Sequence, residues 1–165
     1  MHKQPTMLRL LADEMLMRLG RWLRAAGHDV AMLPDGTPDA RLVSLARAEQ
    51  RKLITRDRKM LEYRDADTLV ICLHANELNA CALELSRRLT LDWLYAPFSR
   101  CLLCNRPLIA GDVHDLARIP EESRRFNETA WRCEDCNKVY WHGSHVERMR
   151  RQLEAWKELS LHDST

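Results

Sequence analysis

No stretch of this chain reaches the roughly 18 consecutive apolar residues that a membrane span requires, so membrane insertion lacks support. The opening residues hold no long apolar run of the kind a secretory leader carries, so a soluble globular protein is expected. The 5 glycines form no phosphate-cradling loop, which argues against the common nucleotide-binding motifs. No serine sits in a Gly-x-Ser-x-Gly nucleophile elbow. Repeats and low-complexity tracts are missing, and so is a strong charge bias. A net charge of +2 predicts no nucleic-acid partner by itself, so the local clustering of charge matters more. What is present suffices for a core: 165 residues, 45% hydrophobic and 30% charged, bury an apolar centre without disulfide staples.

The clearest local signal is a pair of Cys-x-x-Cys turns, Cys101-Leu102-Leu103-Cys104 and Cys133-Glu134-Asp135-Cys136. Each turn lets two thiolates converge on one metal, and two turns complete a tetrahedral four-sulfur shell for structural Zn2+. The competing reading is a redox dithiol, which the doubling of the motif disfavours. The spacer, residues 105–132, exceeds the usual roughly 15–20 residues, so a zinc ribbon with a long loop is expected. Reduced thiols with zinc fit the cytoplasm. Cys72 and Cys81 stand apart and read as buried free thiols.

Upstream, hydrophobic period separates the elements. Residues 8–12 form a short apolar run ending at Asp13. From Met15 the period turns helical, with Met15, Leu19, Trp22, Leu23 and Ala26 on one stripe and Glu14, Arg18, Arg21 and Arg24 on another. Gly27 is a helix stop, and residues 28–33 read as a second strand. Thr37-Pro38-Asp39 reads as a helix start with Thr37 as cap, the helix running to about Gln50. Residues 52–56 are a third strand followed by Asp57, residues 68–73 a fourth, and residues 76–89 a helix. Strands alternating with helices imply a mainly parallel sheet, with sites at the carboxyl ends of its strands.

Asp13 and Asp57 fall at such ends, and Asp39 opens the helix after the second strand. Carboxylates gathered on one edge suit a hard divalent cation, Mg2+ or Mn2+, able to activate water for attack on a phosphodiester. Arg18, Arg21, Arg56 and Arg58 would then hold phosphate oxygens. Each residue also has a plainer reading. Asp13 serves equally as a helix cap, Asp39 as a first-turn acid facing the helix dipole, Asp57 as a turn or ion-pair residue, and the arginine ridge as a solvated face.

Three ordered blocks carry a family resemblance: Leu11-Ala12-Asp13-Glu14-Met15-Leu16; Leu19-Gly20-Arg21-Trp22-Leu23-Arg24 with Gly27-His28-Asp29-Val30; and Leu53-Ile54-Thr55-Arg56-Asp57-Arg58. They resemble the PIN-like ribonuclease domain called the Mut-seven C-terminal RNase domain. The two cysteine turns, the second continuing as Asn137-Lys138-Val139-Tyr140-Trp141-His142-Gly143-Ser144-His145, resemble its zinc-ribbon half. The resemblance spans residues 8–150. It implies an α/β PIN-like unit (residues 7–98), its mainly parallel sheet flanked by helices, then a zinc ribbon with a C-terminal helix (residues 99–160). It also implies metal-dependent RNase activity, with Asp13, Asp39 and Asp57 matching the family's acids; on the residues' own chemistry, Arg56 or Arg58 would steady phosphate. At the fourth position, where PIN nucleases place another acid, this chain has His74-Ala75-Asn76-Glu77, leaving Asn76 or Glu77 to serve.

The ribbon region is locally basic, with Trp131, Tyr140 and Trp141 interleaved among its cations, a composition that suits single-stranded or structured RNA. The plainer reading is that these aromatics fill a small core. Arg18, Arg21, Arg24, Trp141 and His145 are the candidate RNA-binding residues. Met149, Leu153 and Trp156 form a stripe on a terminal helix expected to pack back on the body. The leading function is a ribonuclease with catalytic Mg2+ or Mn2+ and structural Zn2+. A non-catalytic RNA-binding adaptor is the alternative, and a receiver-like phospho-acceptor is a third that lacks its lysine.

Overall fold

Leu10, Leu11 and Ala12 are all sealed from solvent, as a strand inside a parallel sheet covered on both faces requires. In the computed structural model, which describes residues 6–162, β1 (Arg9–Ala12) lies between β2 (Asp29–Met32) and β3 (Lys52–Thr55), with β4 (Val70–Cys72) outside β3. All three pairings are parallel. The helices are α1 (Met17–Ala25), α2 (Asp39–Ala48), α3 (Ala66–Leu69) and α4 (Leu78–Arg88). Leu10, Ala12, Ile54 and Ile71 point to one core with α1 and α4, while Leu11, Leu53 and Val70 point to a second core with α2. The alternation along each strand divides the apolar residues between two helical layers. Because the chain runs from β1 out to β2 and then back across to β3, the sheet reverses direction between β1 and β3. That is where an open α/β sheet leaves its crevice.

Several expected boundaries shift for local reasons. A 3-10 turn, Glu14–Leu16, precedes α1 and winds three residues per turn instead of 3.6, so the stripe changes phase. Leu16 is buried and Met15 is exposed, the reverse of the expectation. Thr37 does not cap α2; its hydroxyl donates to Pro34 O at 2.6 Å, and Pro38 occupies the cap position. Residues 68–69 belong to α3, so the fourth strand begins only at Val70. Gly27 does end α1: it takes φ +99°, Gly27 N donates to Arg24 O and His28 N to Leu23 O, both at 3.0 Å. This left-handed double closure satisfies the last free carbonyls of the helix.

The downstream unit is a three-stranded antiparallel sheet of β5 (Ile109–Ala110), β6 (Trp131–Arg132) and β7 (Val139–Tyr140). Its long loop carries α5 (Val113–Ala117) and α6 (Glu121–Arg124) over a small core of Ile119, Ala130 and Val139. The final helix, α7 (Ser144–His162), returns to the α/β unit. Its Met149, Leu153 and Trp156 join the core of α1 and α4, with the Trp156 ring centroid 5.1 Å from Trp22 and 4.7 Å from Trp93. The buried Trp156 indole donates to Asn79 Oδ1 at 3.0 Å.

Arg24 clasps the two units together. It is buried, its Nε donating to Val30 O at 2.8 Å and its Nη1 to Leu102 O and Leu103 O at 2.9 Å each, inside the first cysteine turn. Asn105 completes the clasp: its Nδ2 donates to Asp29 Oδ1 at 2.6 Å and its Oδ1 accepts from Val30 N at 2.9 Å. The fourth member of the expected basic ridge is therefore a joint between ribbon and sheet, and its guanidinium is not presented to RNA.

Candidate active site and metal centre

At the carboxyl edge, Asp13 follows β1 directly, and its backbone N–H still pairs with Ile54 O at 3.2 Å. Its side chain is 5% exposed. Oδ1 accepts from Met15 N at 3.0 Å, capping the 3-10 turn, and Oδ2 accepts the hydroxyl of Thr55. Burial raises the proton affinity of this carboxyl above the ordinary value, against hydrogen bonds from Thr55 and backbone N–H groups that pull it down. Burial wins because a carboxylate out of water loses more than these donors return.

Thr55 is the residue that sequence reasoning missed. Its hydroxyl donates to Asp13, while its oxygen accepts from Asp57 N at 2.9 Å. One buried threonine at the end of β3 thus fixes both acid-bearing segments. The signal was available in Thr55-Arg56-Asp57, because a threonine side chain readily accepts from the backbone two residues on. Asp57 in turn caps the next turn, its Oδ1 accepting from Lys59 N at 2.9 Å. Asp39 is the first residue of α2 and half-buried. Glu14 reaches the same edge and accepts from Gly36 N at 2.7 Å, tying down the loop before α2.

Beyond β4, Arg56 donates to the Asn76 side-chain oxygen. Glu77 is exposed at the start of α4. Glu84, another residue not singled out in advance, closes the turn by accepting from Ala75 N at 2.9 Å, His74 N at 3.0 Å and His74 Nδ1 at 3.1 Å. Burial opposes its ionisation, yet these donors hold its carboxyl below the usual range. Arg58 is exposed beside Asp57, and Arg18 and Arg21 are exposed on α1. Among the described residues, Asp13, Asp39 and Asp57 do not form a trio with ligand atoms all within 4.8 Å, whereas the four cysteines do.

The cysteine turns are near copies. Cys101 N donates to Arg106 O and Cys133 N to Lys138 O, at 2.8 and 3.0 Å, while Asn105 and Asn137 follow the second cysteine of each turn at φ +66° and +59°. Asparagine tolerates that left-handed conformation better than most side chains. Cys101 Sγ and Cys136 Sγ are 3.7 Å apart. A tetrahedron with Zn–S bonds of about 2.3 Å has edges of about 3.8 Å, so the donor set fits zinc. Tyr140 lies alongside, its hydroxyl 3.1 Å from Cys101 Sγ and accepting from Leu102 N at 3.2 Å. Burial opposes ionisation of Cys101, but hydrogen bonds from Tyr140 and from backbone N–H groups outweigh it and hold the thiol down at about 7. Cys104, hydrogen-bonded to Cys136 and crowded by the other sulfurs, is pushed up to about 12. A set in which one thiol ionises readily and its neighbour resists is completed by a cation that lets all four ionise.

The protein-family model for the Mut7-C RNAse domain matches residues 8–153. The chain belongs to that family. Comparison with the curated proteins and with the solved structures gives no match. The Mut7-C match covers the sheet, the cysteine turns and most of α7, in keeping with a joint that makes them one body. Membership points to a ribonuclease, with RNA as its substrate.

Trp141 and His145, the expected RNA contacts of the ribbon, lie on opposite sides of the turn into α7. Trp141 is half-buried against the small core of Ile119, Ala130 and Val139, and His145 is exposed. Both line a cleft between ribbon and helix.

Proposed function

We propose that this Mut7-C protein is a PIN-like, Mg2+- or Mn2+-dependent ribonuclease that hydrolyses phosphodiester bonds at the carboxyl edge of its sheet, with the zinc ribbon helping to hold RNA. The observation that carries the reading is the position of Asp13 and Asp57 on neighbouring strands where the sheet reverses, tied through Thr55. Asp13 and Asp57 would hold the cation, with Asp39 as a further ligand or water positioner. An oxygen-liganded divalent cation supplies Lewis acidity and a lowered pKa for water. The burial that raises the proton affinity of Asp13 also favours any cation that takes the place of lost water around it. Thr55 keeps Asp13 Oδ2 oriented, and exposed Arg58, Arg18 and Arg21 offer guanidinium groups to phosphate oxygens. Arg56 reaches across to Asn76 and so links the third and fourth strand ends.

The test is cleavage of single-stranded RNA in Mg2+ and in Mn2+ by the parent, Asp13→Asn, Asp57→Asn and the double variant, each with intact zinc content. A loss of about 10²-fold or more is expected, the scale seen when one preorganised electrostatic group is removed. Equal rates for the double variant and the parent would sink the proposal. Tight RNA binding without metal-stimulated cleavage would make the protein an adaptor, a reading favoured by Asn76 standing where a fourth acid is expected.

A further inference from the structure

The cleft between the ribbon and α7 encloses about 620 Å3, within the range of about 300–1,000 Å3 typical of built ligand sites. Its walls come from three places that are distant in sequence: the segment at residues 97–100, the β6–β7 face, and the first turns of α7. Trp131 and Tyr140 are directly opposite in the antiparallel register, which puts both rings on one face of the sheet. The Tyr140 ring is held in place by its hydroxyl, bonded to Cys101 Sγ and Leu102 N. Trp131 is braced edge-on by His142 at 4.9 Å. Across the cleft, Phe98 takes a left-handed φ of +60°, fixed by its N–H donating to Ala25 O at 2.7 Å. A bulky side chain rarely adopts that conformation, and here it turns the ring to the cleft wall.

Charge is equally one-sided. Among the described residues no carboxylate lines the cleft, whereas Arg100 and Lys138 do, with His142 and His145 beside them. Lys138 sits 5.5 Å over the Tyr140 ring, and the Arg150 guanidinium lies 5.3 Å over Phe98. Lys138 is in no ion pair with a described residue. Fixed aromatic rings with cations lying over them match a flat ring joined to an anion. An extruded base and its phosphate have that chemistry, and single-stranded RNA carries them in series.

We propose that this cleft is a nucleobase subsite: one unstacked base of a single-stranded RNA enters between Phe98 and the Trp131–Tyr140 face, with its adjoining phosphate beside Lys138 and Arg150. The identity of the polymer rests on the ribonuclease reading; the shape and charge of the subsite do not. Because Tyr140 also touches a cysteine of the metal centre, the subsite is formed only when the ribbon is.

The experiment measures equilibrium binding of a short single-stranded oligoribonucleotide to the zinc-loaded full chain without Mg2+ or Mn2+. The probes are that oligomer, the same sugar-phosphate chain lacking bases, and an acidic peptide. Trp131→Ala is expected to weaken binding of the base-bearing oligomer by about 5- to 150-fold, the value of one stacked base, while Trp131→Phe stays near the parent. Lys138→Gln is expected to lower the slope of log Kd against log salt by about 0.7, one phosphate contact on a single strand. Zinc content of each variant reports whether the ribbon has folded. Trp131→Ala with full zinc and unchanged affinity overturns the subsite, as does a base-free chain that binds as tightly as RNA. A Trp131-dependent preference for the acidic peptide overturns it in favour of a protein partner. Cleavage with a Trp131-independent affinity removes the subsite and leaves the ribonuclease; Trp131-dependent RNA binding without cleavage does the reverse.

Discussion

Replacing Arg24 by methionine tests the joint between ribbon and sheet, because methionine fills the channel but offers no donor. Burial pulls the Arg24 guanidinium from its ordinary 12.5 to about 10, so keeping it charged in the fold costs about 3 kcal/mol. Against that stand three bonds to the carbonyls of Val30, Leu102 and Leu103. At about 1.5–3 kcal/mol for each bond to a charged donor, they total roughly 4.5–9 kcal/mol. The difference leaves Arg24 stabilising by about 1.5–6 kcal/mol, and its loss is expected to lower Tm by roughly 3–24 °C in a chain of this size. Two of the three carbonyls belong to the first cysteine turn, so the same substitution loosens the metal centre. The assay pairs urea denaturation with the rate of zinc release to a chromogenic chelator. Arg24→Lys, with a single point of charge in place of the guanidinium fork, is expected to fall between methionine and the parent. An Arg24→Met protein within about 1 kcal/mol of the parent, releasing zinc at the parental rate, refutes the clasp.

Gly27→Ala is expected to cost clearly more than Gly36→Ala in thermal denaturation. Both glycines have positive φ, but a Cβ at Gly27 would stand 2.4 Å from Ala96 O, whereas nothing lies within 4 Å at Gly36. Gly36→Ala should therefore show only the left-handed penalty of about 1–2 kcal/mol. His28 predicts a pH dependence: its Nδ1 accepts from Leu8 N at 3.2 Å, so Nε2 carries the proton and donates to Asp92 O at 2.9 Å. Burial holds its folded pKa below 6.5, so the unfolded chain binds the extra proton first. Stability should fall as pH drops below about 6.5, with a slope of up to about 1.4 kcal/mol per pH unit. Urea midpoints for parent and His28→Gln between pH 7.5 and 5 should diverge in slope, and parallel curves would exclude His28 as the source.

The acids at the strand ends were legible because a short apolar run followed by a charged residue places that residue at the edge of a sheet. Asp13 and Asp57 follow from β1 and β3 alone. The cysteine turns were legible because their spacing is itself the geometry. Arg24 was not legible. Its spacing from Arg18 and Arg21 puts it near the same helix face, and only the arrival of Leu102 and Leu103, far along the chain, converts that position into an interior one. Met15 failed through a change of helical pitch that hydrophobic period does not announce. Thr55 was hidden between two more conspicuous neighbours, since its contribution is two hydrogen bonds and no charge. Asp39 was placed correctly at the start of α2, but how near it comes to the other acids depends on how α2 packs, which local pattern does not set.

The docking of α7 also bears on the order in which the protein is completed during synthesis. Trp22 and Trp93 belong to the part of the chain made first, yet the residue that fits between them is Trp156. Until α7 leaves the ribosome, the apolar side of α1 and α4 lacks its cover, and the sheet that carries Asp13 and Asp57 rests on an unfinished layer. Long-range closure of this kind delays folding relative to local helix formation. A protein built this way completes its core only after its ribbon has been translated, so the sheet edge and the cysteine turns reach their final form together.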